Sequence, residues 1–176
     1  MRGGSGCRGK GGFDASQDHA DDGPGPAVAA AAAGIGTSAG NGVVNSATGS
    51  GQTTFGGEQR TFTLTDRLYS DGTASGELQL DNRAQGRKFH MTLDCLVVSG
   101  NRAYASGTVD RSTIASDVGT EWDVEVVDNG EGANAPPDQI SLVTIFFPQL
   151  PCTNPFVQAY LDTVTFPIES GNIQVR

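Results

Sequence analysis

The feature that most constrains this chain is an alternation of apolar and polar side chains, broken by turn signals, that runs from Gln59 almost to the C-terminus. A period of two puts successive side chains on opposite faces of an extended strand, so a sheet with one apolar face satisfies it. Gln59–Tyr69 sets Phe62, Leu64, Asp66 and Leu68 on one face and Thr61, Thr63, Thr65 and Arg67 on the other. Ser70–Thr73 follows, and its Asp71-Gly72 pair suits a tight hairpin turn. Thr73–Asp81 turns Leu78 and Leu80 inward and Glu77, Gln79 and Asp81 outward, and Asn82–Gly86 reverses the chain again.

Arg87–Val98 lines Phe89, Met91, Leu93, Cys95 and Val97 on one face. After the turn Ser99–Asn101, Arg102–Arg111 carries Ala103, Ala105 and Gly107, small residues that imply close approach to something bulky. Thr120–Asp128 places Trp122, Val124 and Val126 inward, with Glu121, Asp123 and Glu125 in solvent. Ile140–Phe147 is apolar on both faces and is read as a strand covered on both sides. Pro148, Pro151 and Pro155 then mark a loop, residues 156–161 suit a helical turn, and Asn172–Val175 is the last strand. With an early strand over Gly51–Phe55, about eight strands result.

Short strands joined by hairpins leave two sheet edges, and closure removes them. The expected fold is therefore an all-β, antiparallel up-and-down barrel of about eight strands, the first pairing near Thr54 with the last near Ile173. A two-sheet sandwich is the second choice. An eight-stranded barrel is filled by side chains or holds one small ligand, and Phe62, Leu64, Leu78, Leu80, Phe89, Met91, Leu93 and Trp122 suffice to fill it.

The barrel domain is read as residues 43–176. Residues 1–42 hold 12 of the 25 glycines and few large apolar side chains, so a disordered Gly/Ala-rich tail is expected there. Residues 43–176 carry 8 basic and 16 acidic side chains, hence −8 of the formal charge of −9. An acidic surface argues against nucleic acid, which requires clustered Lys and Arg, and no apolar run is long enough for a transmembrane segment. Partners are otherwise open, a small molecule or a cell-envelope component being the kinds considered.

Cys95 and Cys152 have no neighbouring Cys or His at metal spacing. They are read as a disulfide pair that would pin the proline-rich loop, the alternative being two buried free thiols. Cys7 is left over in the tail.

Asp128–Asp138 (DNGEGANAPPD), Gln139–Leu142 (QISL) and Gly171–Arg176 (GNIQVR), with Tyr69–Leu80, Asp94–Gly107 and Gly49–Gln52, resemble a family of small secreted bacterial proteins of unassigned function. The resemblance spans residues 49–176 and implies export and a β-rich fold, with no activity and no site residues to carry over. Members begin with a clear export signal. Here Ala27–Ile35 is short, weakly apolar and preceded by acids, and is read as a linker.

Three places are candidates for chemistry. Asp128, Asn129, Glu131, Asn134 and Asp138 offer hard oxygen ligands of the kind Ca²⁺ takes, but their spacing is not that of an EF-hand, and a long shaped turn explains the same residues. No metal or other cofactor is therefore expected. Asp66 shares the inward face and could orient a ligand with Tyr104 and Trp122, the three forming a candidate pocket; a solvated position at the rim is the reading taken for Asp66 itself. Of the two histidines, His19 lies in the tail and His90 faces outward. No nucleophile elbow, phosphate loop or dinucleotide fingerprint is present, so no enzyme is expected. The leading expectation is a secreted, non-catalytic binding or structural module of the extracellular space or cell envelope. One alternative is a carrier of a small lipophilic ligand near Trp122; another is a hydrolase or isomerase that uses Asp66 with His90 or Tyr104.

Overall fold

The computed structural model describes residues 41–132, 134–144 and 149–176, which fall within one compact unit, Ser38–Arg176. The tail expected over 1–42, with Cys7 and His19, lies outside the described residues as far as residue 40.

Nine antiparallel strands form one sheet curled into a half-barrel: β1 (Val43–Phe55), β2 (Glu58–Tyr69), β3 (Ala74–Asn82), β4 (Arg87–Ser99), β5 (Arg102–Ser112), β6 (Glu121–Val127), β7 (Gln139–Ser141), β8 (Thr165–Pro167) and β9 (Ser170–Val175). One short helix, α1 (Pro155–Leu161), and a 3-10 turn at Ala115–Asp117 are the other elements among the described residues. The strand order β8-β7-β6-β5-β4-β3-β2-β1-β9 is a meander with β9 added beside β1. The expected pairing of the chain's first and last strands is present, with Gly49 opposite Ile173 and Ser50 opposite Asn172.

The count of nine rather than eight has a simple origin. Strands β8 and β9, at opposite edges of the sheet, are separated by Ile168 and Glu169 alone. The Ile168 N–H donates to Asp138 O at 2.9 Å, extending the ladder to β7, and the Glu169 N–H donates to Gln52 O at 2.7 Å, extending the ladder to β1. Segment 165–175 is thus one extended stretch whose first half pairs with one edge and whose second half pairs with the other.

Strand β1 is much longer than the expected Gly51–Phe55. Its inward positions are Ala47, Gly49 and Gly51, which lack the bulk that makes alternation visible. A Cβ on Gly49 would sit 2.9 Å from the Asn172 carbonyl oxygen, so the small side chain lets β9 come close. The inner face otherwise holds the side chains the alternation put there: Phe62, Leu64, Leu78, Phe89, Met91, Leu93 and Trp122 are buried, and Leu80 is partly so. Burial of each such side chain is worth about 1.5–3 kcal/mol.

Strand β4 departs from its expected parity. Leu93 pairs with Gly107 and Cys95 with Ser106, so Asp94 is an extra residue in a β-bulge. Beyond it the facing reverses: Leu96 and Val98 join the inner core, while Cys95 and Val97 turn outward. There they meet Tyr104, Cys152, Val157 and Leu161 in a second core on the outer face. The Cys95–Cys152 disulfide ties the 149–164 cover to β4, with Cα atoms 6.0 Å apart. Asn154 caps α1 by accepting the Phe156 N–H at 2.9 Å, with Pro155 at the first helical position.

This cover corrects a second expectation. Asp123 and Glu125 point outward as expected, yet they are 1% and 0% exposed rather than solvated. Parity gives the direction of a side chain and not what lies beyond it. The single strand expected over Ile140–Phe147 is the three-residue β7 followed by an isolated bridge between Asp123 and Thr144, and residues 145–148 lie outside the described residues.

Candidate functional site

One end of the curled sheet carries an inward-facing row unlike the layers beneath it. Thr53, Arg60, Asn82 and Arg87 stand side by side on β1, β2, β3 and β4. The next layer in is Phe62, Leu80 and Phe89, and Trp122 enters from the start of β6. Of these, Arg60, Asn82, Arg87, Leu80, Phe89 and Trp122, together with Phe55, Gln85 and the stretch Leu142–Thr144, line a cavity of about 260 Å³ at the barrel mouth.

Each guanidinium lies over an aromatic ring. Arg87 is 4.6 Å from the Trp122 ring centre and Arg60 is 5.2 Å from that of Phe55, distances at which a cation is attracted to the ring face. Trp122 is fixed by Phe89, with ring centres 5.1 Å apart, and by its Nε1–H, which donates to Thr120 Oγ1 at 2.6 Å.

The two arginines differ in how fully they are engaged. Arg87 grips Asp117 with two bonds, Nε to Oδ2 at 2.9 Å and Nη2 to Oδ1 at 2.6 Å. Burial pushes the Asp117 carboxyl up, but the bonds from Arg87 and Ser112 outweigh it and hold the group below the usual carboxylate range. Arg60 has a looser contact, Nη2 to Glu58 Oε2 at 3.3 Å. Glu58 also accepts from Asn82 at 2.9 Å and Gln85 at 3.1 Å, and these two bonds are the main reason its carboxyl sits below the ordinary value. The Arg60 Nε is buried without a partner among the described residues. The mouth is therefore a largely polar recess with aromatic side chains at its base and one incompletely paired guanidinium in its wall, a combination suited to holding a small polar molecule.

The residues singled out in the sequence do not gather there. Of Asp66, Tyr104 and Trp122, only Trp122 lines the mouth. Asp66 is inward but wholly buried beside Ala47 and Gly76, several residues along β2 from Arg60, so the solvated-rim reading is corrected. Its Oδ1 accepts the Arg67 N–H at 2.9 Å and its Oδ2 has no partner among the described residues; burial pushes the carboxyl up to about 7. Tyr104 faces outward, donating its hydroxyl to Asp162 at 2.9 Å, and burial pushes its phenol up to about 12. Arg102 donates to Asp162 at 3.0 Å and to Glu125.

His90 is also outward, its ring nitrogens 2.6 Å from Asp110 and 3.2 Å from Glu77, beside an open groove of about 390 Å³ lined by Gln79, Lys88 and Arg111. Asp66 thus has neither His90 nor Tyr104 on its face of the sheet.

In the 128–138 loop, three of the five proposed calcium ligands are engaged with the loop and sheet. Asp138 accepts the N–H groups of Asn129 and Ile173, both at 2.8 Å; Asp128 accepts those of Gly130 at 2.9 Å and Val175 at 3.0 Å; Asn129 Nδ2 donates to Pro137 O at 2.7 Å. Glu131 and Asn134 are exposed. No group of three or more metal-ligating side chains occurs among the described residues.

Arg60, Asn82 and Arg87 were legible in principle. Each has the same parity as the apolar residue two positions along, Phe62, Leu80 and Phe89, and that shared parity is the signal that could have found them, though it does not by itself tell an inward arginine from a solvated one. Among the described residues no helix is long and apolar enough to cross a membrane. Comparison with protein-family models, curated proteins and solved structures finds no match to this chain.

Proposed function

We propose that this is an exported, non-catalytic binding protein whose barrel mouth takes up a small molecule against Trp122. The observation that carries the reading is the recess of about 260 Å³ in which Arg60, Asn82, Gln85, Arg87 and Thr144 stand among Phe55, Leu80, Phe89, Trp122, Leu142 and Val143. Export is supported by the Cys95–Cys152 bridge, since disulfides persist in oxidising compartments, and by the resemblance of residues 49–176 to small secreted bacterial proteins. A binding role rather than catalysis is favoured because Asp66, His90 and Tyr104 do not share a cleft.

The test uses Trp122, the chain's single tryptophan, as the reporter. Small one- and two-ring compounds should shift or quench its emission saturably. A flat response across a broad panel of such compounds would overturn the proposal.

A further inference from the structure

We infer that the mouth selects an anion: a compact ring compound bearing a carboxylate, whose acid group pairs with Arg60. The inference rests on the binding reading above and adds the ligand's charge to it.

Shape sets the first limit. A cavity of about 260 Å³ is below the roughly 300–1,000 Å³ that holds a drug-sized ligand, so the occupant is limited to one or two rings. The rings of Phe89 and Trp122 lie tilted to one another at 53° and form an aromatic corner for the body of such a molecule.

Charge sets the second. The Arg87 guanidinium is anchored by both Asp117 oxygens, and Asp117 is held in turn by Ser112 Oγ at 2.9 Å. Arg60 has a single long contact to Glu58, whose Oε2 is shared with Asn82 Nδ2. Its Nε is a buried donor with no acceptor among the described residues. A ligand carboxylate at the mouth supplies a countercharge to the Arg60 guanidinium, which its one long contact to Glu58 leaves incompletely paired. A neutral ligand supplies none. A cationic ligand would meet a guanidinium that Glu58 only loosely counters. The chain's net charge of −9 does not reverse this preference, because at physiological salt charges beyond about 8 Å are largely screened.

Calorimetric titration of the full chain with 2-naphthoate and with its neutral counterpart 2-naphthylmethanol tests the inference. Naphthoate should bind at least tenfold more tightly than the alcohol. Arg60→Gln should collapse that ratio toward one, and Arg60→Lys, which keeps the charge, should restore most of it. Equal binding of acid and alcohol by the unmodified protein, a comparison that needs no variant to fold, would overturn the selection of an anion while leaving the mouth as a binding site. Failure of both compounds to bind would overturn the mouth-binding reading and the inference with it.

Discussion

Gly76 faces Asp66 across the β2–β3 ladder so closely that a methyl group on Gly76 would lie 2.7 Å from Asp66 Oδ1 and 2.6 Å from its Cα. The glycine makes room for a carboxyl group on the inner face, between the apolar side chains of Leu64 and Leu68 along β2. Addition of that methyl would force strand backbone as well as side chain to move, so Gly76→Ala should destabilise the fold by about 1–3 kcal/mol in chemical denaturation. A change within a few tenths of a kcal/mol would mean that the two strands are not so closely apposed.

Burial pushes Asp66 up to about 7, and does the same to Asp123 and Glu125 on the outer face. In the unfolded chain these groups ionise near their ordinary values, so between pH 4 and 7 the folded protein holds the more protons. Stability should therefore be greatest near the lower end of that window and fall as pH rises through it. The carboxyls of Asp117 and Glu58 are shifted downward and act only at more acid pH. Asp66→Asn should lessen the slope by up to about 1.4 kcal/mol per pH unit, the contribution of one proton. Urea midpoints at pH 4.5, 6 and 7.5 give the measurement, and a profile that rises over this range would contradict a buried, unpaired Asp66.

Asp128 and Asp138 hold the backbone edge of β9 that pairs with no strand among the described residues, each joining a β9 N–H to an N–H of their own loop. Loss of an acceptor from a buried N–H costs about 1–3 kcal/mol. Asp138→Asn, which replaces one carboxylate oxygen with a donor, should therefore lower stability by that amount. It should also speed amide hydrogen exchange at Ile173 more than at residues of β2 or β3. Since these oxygens already serve backbone donors, added calcium should leave the melting temperature unchanged; a calcium-dependent rise would reopen the loop as a metal site.

What the sequence made legible follows from which residues carry contrast. Strands β2, β3 and the first half of β4 alternate Phe, Leu or Met with Thr, Gln or charged residues, and their facing could be read directly. Strand β1 could not, because Ala47, Gly49 and Gly51 present no bulk on the inner side. The bulge at Asp94 was hidden because the residues after it, Cys95 to Val98, are apolar at both parities. The burial of Asp123 and Glu125 depends on a cover supplied by residues far along the chain, and no local pattern encodes it. The mouth was legible only in part. Trp122 and Phe89 stood out, whereas Arg60 and Arg87 resembled ordinary charged strand ends, since alternation alone does not separate an inward arginine from a solvated one.

The disulfide is the covalent anchor of that cover. It closes a separation of 57 residues, which corresponds to about 4 kcal/mol in the chain-entropy account. Reduction, or the double substitution Cys95→Ala with Cys152→Ala, should cost on that order and should affect the outer face before the inner core. Thiol titration of the unreduced, denatured chain should count one thiol, that of Cys7. Three thiols would show that the bridge does not form in the protein as isolated.

Arg102 has contacts that reach both the outer-face carboxylates and the cover, donating to Glu125 on β6 and to Asp162 just beyond α1. Glu125 is wholly buried, and its second oxygen has no partner among the described residues. Removal of one member of such a pair leaves an uncompensated buried charge, a penalty of about 3–5 kcal/mol for a fully buried pair. The Arg102 side chain is 36% exposed, so solvent screens the interaction, and Arg102→Met should cost a smaller amount, about 1–3 kcal/mol at pH 8. Without the cation the Glu125 carboxyl rises further, so the penalty should shrink at pH 5, where the group binds a proton and no longer requires a partner. Glu125→Gln in the Arg102→Met background should recover part of the loss at pH 8 and little at pH 5. An equal loss at both pH values, untouched by the second substitution, would mean that Arg102 acts by packing and not through its charge.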